Sequence, residues 1–173
     1  MNKIGKPKPE EYANFYRGYI ELVGDQDVID YLSDQSDSFS TYLEKIPKEK
    51  MSFAYHEGKW TVAQVLGHII DTERVMAYRI LRFSRQDKTP IPGFDQNTYV
   101  ENSFFEARSI TSLRAELMGL RAANIELIKS LTEEQTKYTG QSNEVIFSVR
   151  ALVYILGGHL AHHWNILKER YEV

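Results

Sequence analysis

The sequence predicts an all-α protein, a four-helix bundle in one domain, and three observations carry that prediction. Apolar residues recur at three- and four-residue steps through four long segments. Helix starts and stops punctuate those segments where a bundle turns. No long run alternates apolar and polar residues with the period of two that a strand needs.

Residues 1–9 are polar and proline-bearing and are expected to be loose. Tyr12, Phe15, Tyr16 and Tyr19 have helical spacing, so a short extra helix is predicted from Glu10 to Val23, interrupted by Gly24. The first long helix runs from about Asp27 to Lys45, with Ile29, Leu32, Phe39, Leu43 and Ile46 in its apolar set, and Pro47 ends it. The second begins at Thr61, with Gln64 three residues later in the capping-box pattern, and runs to about Asp87 through Val65, Ile69, Met76, Ile80 and Phe83. Pro90, Pro92 and Gly93 make residues 88–98 a loop. The third runs from about Ser109 to Leu131, and Thr132 opens a short acidic turn. A polar stretch with Gly140 and Asn143 leads to Ser148, the N-cap of a fourth helix reaching about Arg170. The connections are long enough to be irregular.

The chain has 173 residues, which fits a single domain over 1–173 with a core that needs no staples. Net charge is −3, from 21 basic and 24 acidic residues, so no electrostatic footprint for nucleic acid is present. There is no cysteine, which removes disulfides, thiolate metal sites and a cysteine nucleophile. No apolar run is long enough to span a membrane, and the first residues lack the apolar stretch of a secretory signal. A cytoplasmic protein is the expectation.

The fourth helix carries the decisive pattern. Its stripe is Leu152, Leu156, His159, His163, Ile166 and Arg170, the seam of a helix facing a bundle interior. Two imidazoles thus stand where the pattern asks for leucine. His159 and His163 are one turn and about 40° apart, so their ring nitrogens can converge on one point, as a tetrahedral metal requires of an i, i+4 pair. Two buried imidazoles without partners would cost several kcal/mol, on the order of 2–7 each. His68, on the second helix, also faces inward on the helical wheel. Three histidines from two helices leave a position open for water or substrate, the pattern of a catalytic rather than a closed structural site. A satisfied core histidine is the competing reading for each taken alone. His162 lies on the flank of the stripe, as a substitute ligand, an outer donor or a proton carrier. No Glu-x-x-His occurs, which argues against a ferritin-like dimetal site, and His159-Leu160-Ala161-His162-His163 lacks the glutamate of a zinc-protease helix.

Asp71, about one turn from His68, is the candidate to orient an imidazole or take a proton, against the simpler reading of a partly exposed helix carboxylate. Glu73 points away from His68, as a surface or inter-helix partner. Arg79 and Arg82 lie too far along the helix to touch a metal. They either pin the 88–98 loop through Asp87 or Asp95 or bind the acidic end of a long substrate. Gly157 and Gly158 suggest close helix approach beside His159. Tyr99, Phe104 and Phe105 either cover the site mouth or join the core.

The chain resembles a known family through Tyr16-Arg17-Gly18-Tyr19-Ile20-Glu21-Leu22-Val23, Lys59-Trp60-Thr61-Val62, Gly67-His68, Glu73-Arg74, Tyr78-Arg79-Ile80-Leu81-Arg82, Asp87-Lys88-Thr89-Pro90, Pro92-Gly93-Phe94-Asp95, Leu120-Arg121-Ala122 and Gly158-His159-Leu160-Ala161-His162-His163. These short motifs, in this order and spacing over nearly the whole chain, are similar to the DinB-like proteins, in particular the branch of YfiT-like bacillithiol S-transferases. The resemblance implies a DinB-type bundle, often a homodimer. It implies one divalent ion per chain, zinc or nickel, on one histidine of the second long helix and a His-x-x-x-His pair of the last, which map onto His68, His159 and His163. Members are often labelled metal-dependent hydrolases, while better-understood relatives transfer or isomerise with bacillithiol, mycothiol or glutathione. The expectation is therefore a metal-dependent enzyme acting on a small molecule, with transfer from a low-molecular-weight thiol favoured over hydrolysis. A non-enzymatic, metal-stabilised binding or stress module is the third reading.

Overall fold

The computed structural model describes residues 4–173. Helix α1 is Arg17–Val23, α2 Val28–Glu44, α3 Val62–Ser84, α4 Gln96–Glu101, α5 Ile110–Lys129, α6 Glu133–Thr136 and α7 Val149–Arg170. A short antiparallel hairpin, β1 Thr139–Ser142 and β2 Val145–Ser148, precedes α7. The four long helices close a ring in which α2 packs on α5, α5 on α3, α3 on α7 and α7 on α2, while α1 lies against α7.

The helix starts follow from local chemistry. Asp27 caps α2 by accepting from the amides of Ile29 and Asp30. Thr61 and Gln64 form the reciprocal capping box of α3. Ser109 and Ser148 cap α5 and α7 through Ser112 and Ala151.

Four expectations need correcting. Met1–Lys3 fall outside the described residues, but the supposedly loose start is anchored at two points: Pro7 is buried, and Ile4 is 2% exposed, in one cluster with Ile20 and Val153. Glu11 ties the same segment down by accepting from Ser148 Oγ at 2.6 Å and Arg150 Nε at 2.7 Å. The helix expected from Glu10 is split, with single 3-10 turns at Pro9–Glu11 and Asn14–Tyr16, because Tyr12 is extended between them. The 88–98 loop gives way to α4 at Gln96, because Asp95 caps the Thr98 amide. The polar stretch before Ser148 is the hairpin, turned at Asn143 and Glu144, both with positive φ. Gly140 allows β1 to lie on Phe83, whose ring would stand 2.1 Å from a Cβ there.

The apolar core is divided. One cluster holds Val28, Leu32, Met76, Ile80, Ile125, Leu152 and Leu156. The other holds Phe39, Leu43, Leu66, Ile69, Leu113, Leu117, Leu160 and Leu167. Between them every long helix places polar side chains: Gln35 on α2, His68, Thr72 and Glu73 on α3, Arg121 and Asn124 on α5, and His159 on α7, all buried. Arg121 donates from Nε and Nη2 to the two carboxylate oxygens of Glu73 at 2.8 and 2.9 Å, and from Nη1 to Gln35 Oε1 at 2.8 Å. Asn124 adds a 3.0 Å bond to Glu73, and Gln35 Nε2 donates to the Gly157 carbonyl at 2.9 Å. Glu73 is thus an inter-helix partner in the interior, not on the surface.

Candidate metal centre

The polar layer leaves the histidines on the α3–α7 side of the bundle. His68 and His159 are 3% and 8% exposed, and their Nε2 atoms stand 3.0 Å apart. One nitrogen from each of His68, His159 and His163 lies within 4.8 Å of the others. A metal 2.0–2.1 Å from each of two tetrahedral imidazole ligands sets their nitrogens about 3.3 Å apart. The donor set therefore fits a divalent ion, and neutral imidazole nitrogen suits zinc and nickel alike.

Neutrality is built in. Burial pushes His68 down to about 4, with the His162 charge adding to it. Burial and then His68 take His163 to about 3, and burial drives His159 well below the ordinary range. Each ring therefore keeps a lone pair at neutral pH.

Neighbours fix the rings. Trp60 tilts against His68 at 4.9 Å between ring centres. Tyr19 from α1 sets its edge against His159 at 5.7 Å and His162 at 5.4 Å. Gly158 makes this approach possible, since a Cβ there would lie 2.0 Å from the Tyr19 carbonyl oxygen.

The histidines open onto a cavity of about 280 Å³ lined also by Tyr16, Thr72, Met76, Arg79 and Phe94. His162 is half-buried and faces the same space, beside His163 at 5.0 Å. Asp71 does not line it. Its charged neighbours are Arg74 and Glu116, and burial raises its carboxyl above the usual range. Tyr99 and Phe104 are exposed and Phe105 is buried against Gly67, so the mouth belongs to Phe15, Tyr16 and Phe94 instead. Arg82 does pair with Asp87, whereas Arg79 turns into the cavity. Sequence reading missed Thr72 and Tyr19 as wall residues and Trp60 as the ring packed on His68. Thr72, at i+4 from His68, was the one whose spacing pointed there.

A ring of helices carrying two inward histidines on its last helix and one on its second long helix defines a helical bundle with a candidate metal centre. The DinB superfamily model matches residues 31–167, and the chain belongs to that superfamily. It is 32% identical over 123 residues to a protein of Oceanobacillus iheyensis, OB0413, provisionally named a metal-dependent hydrolase, with 69% of each chain covered. It is 26% identical over 146 residues to YfiT of Bacillus subtilis, which carries the same provisional name, covering 75% of this chain and 80% of YfiT. The solved structure of YfiT, described as having an unusual four-helix bundle topology, superposes with a TM-score of 0.76 at 20% identity, over 98% of this chain and 94% of that one. The fold is therefore the YfiT-like bundle. A mycothiol-dependent maleylpyruvate isomerase shares the fold with a TM-score of 0.63 at 11% identity, over 79% of this chain and 58% of that one.

Proposed function

We propose that the chain is a metal-dependent enzyme that transfers a small thiol to an electrophilic carbon, with His68, His159 and His163 holding one zinc or nickel ion. The observation that carries the choice of reaction is the lining of the cavity: among the described residues no aspartate or glutamate reaches it, and outside the three candidate ligands His162 is the one base there. Hydrolysis needs a group that takes a proton from water, most often a carboxylate or histidine. A thiol, with an ordinary pKa of about 8.5, needs far less help. A divalent ion with an open position would supply charge that favours thiolate over thiol.

The remaining steps fall to the side chains. The buried imidazoles of His68 and His159 and the half-buried one of His163 stay neutral, so they present lone pairs instead of repelling a cation. His162 lines the cavity and takes the proton that the thiol releases. Tyr16 and Phe94 hold water back from the mouth. The names of the curated relatives favour the second reading, a hydrolase, in which His162 would be the base.

Elemental analysis of tag-free protein beside His68→Ala and His163→Ala tests the centre. The expected result is about one zinc or nickel per chain, lost in both variants while the helical circular dichroism persists. Thiol consumption with monochlorobimane, against release of nitrophenol from a nitrophenyl ester, then separates the two reactions. Wild type that stays empty after zinc or nickel refilling refutes the proposal.

A further inference from the structure

Two buried side-chain atoms in the cavity wall lack a hydrogen-bond partner among the described residues: Thr72 Oγ1 and Arg79 Nε. Arg79 is the more demanding. It is 4% exposed, and a guanidinium stays charged in proteins. Its Nη1 reaches only the Met76 sulfur, at 3.8 Å, and its Cζ lies over the Phe94 ring, 5.9 Å from the ring centre. Arg82, less than one turn further on, is paired with Asp87 and Tyr78. Among the described residues no acid pairs with Arg79, and no acid lines the cavity. Burial lowers its pKa, with only the Tyr16 phenol opposing, the direction expected of a cation without a counter-ion.

We propose that Arg79 is the anion anchor of this cavity, binding a carboxylate at one end of an extended small molecule whose other end lies at the histidine cluster. Met76, which the guanidinium touches, is eight residues from His68, about 12 Å of helix. A ligand that satisfies both ends is therefore elongated, close to a tripeptide in length. Thr72 stands between them and offers its free hydroxyl to a polar group midway. The planar fork of arginine matches a carboxylate with two parallel bonds, and burial makes that pair selective against neutral ligands. The inference rests on the preceding reading in one respect, that the cavity is a substrate site.

The test uses the Arg79 Nε–H resonance in isotope-labelled, metal-loaded protein, assigned by its loss in Arg79→Lys. Glutathione, which carries a carboxylate at each end, is titrated beside its diethyl ester, which lacks both carboxylates and keeps the amine. The expected result is a saturable shift with glutathione and none with the ester. Calorimetry of Arg79→Gln should show glutathione binding weakened about tenfold or more, the size of a lost charge-assisted pair, with ester binding unchanged and Arg79→Lys intermediate. Equal binding of acid and ester by wild type overturns the proposal. So does an Nε–H that moves with neither glutathione nor glutarate at tens of millimolar. Wild type separates the two readings: protein that stays empty after refilling while the Arg79 response persists removes the metal role alone, and about one zinc or nickel per chain with no Arg79 response removes this inference alone.

Discussion

Arg121→Met tests the polar layer that divides the core. Arg121 is 0% exposed and gives three N–H bonds, two to Glu73 and one to Gln35. Methionine fills much of the same volume but leaves Glu73, 2% exposed, with one remaining bond, from Asn124. Removing one partner of a buried pair costs about 3–5 kcal/mol, because a charge stays behind without compensation. For a chain of this length each kcal/mol moves the Tm by about 2–4 °C, so a fall of about 6–20 °C is expected. Glu73→Leu combined with Arg121→Met removes both charges and should recover at least half of that loss, since apolar replacement of a whole buried pair is often close to neutral. Thermal unfolding followed by far-UV circular dichroism, on all four corners of the cycle, measures the coupling. A single-variant loss below about 1 kcal/mol, or strictly additive losses, would refute the assignment of the pair as the structural lock of the bundle.

Gly158→Ala should push α1 away from α7, because the Tyr19 backbone must retreat by about 1.4 Å to reach ordinary contact. Overpacking of about 1–3 kcal/mol outweighs the roughly 1 kcal/mol of helix propensity gained, and urea unfolding will show a lowered midpoint. In Glu11, burial raises the carboxyl but bonds from Arg150 and Ser148 outweigh it, so its folded value is depressed. Its stabilisation is present above about pH 4.5 and lost as pH falls through the folded value; Glu11→Gln should cost about 1–3 kcal/mol at pH 7 and flatten the acid limb of a urea–pH series. For metal-stripped protein the histidines dominate a different window. His68 and His163 fall from 6.5 to about 4 and about 3, so the unfolded chain binds more protons below pH 6.5 and stability drops from there downward. His68→Gln should shrink the difference between urea midpoints at pH 7 and pH 5, and an unchanged difference would contradict the burial of that ring.

The bundle and the histidine pair were legible because both are periodic. Thr61 and Ser148 announced two helix starts as N-caps and Ser109 marked a third approximately, and the Leu152–Leu156–His159–His163 stripe showed which face of α7 turns inward. The hairpin was hidden for a physical reason. Its first strand is Thr-Gly-Gln-Ser, held by packing on Phe83 instead of by β propensity, and its turn uses Glu144 where a glycine would have signalled positive φ. The divided core was hidden too, since Arg121 and Glu73 are charged residues that alone read as surface, and only their mutual pairing explains their burial.

Asp71 and Glu73 show where wheel geometry stops. They flank Thr72, which lines the cavity; the sequence offers Asp71 as the acid of the site and Glu73 as a surface or inter-helix partner. The structure leaves Asp71 half-buried beside Arg74 and Glu116, and buries Glu73 under Arg121, Gln35 and Asn124. Glu73 is the only carboxylate among the described residues that is fully buried, and its oxygens already accept three bonds. It therefore has little capacity left to draw a cation away from the imidazoles or to serve as a base. Arg121 accordingly does two things at once: it joins α2, α3 and α5 across the middle of the bundle, and it withdraws the nearest buried acid from the cavity. What remains facing that space is three neutral nitrogens, one half-buried imidazole and the unpaired cation of Arg79, a set suited to an anionic ligand and a nucleophile that arrives with the substrate.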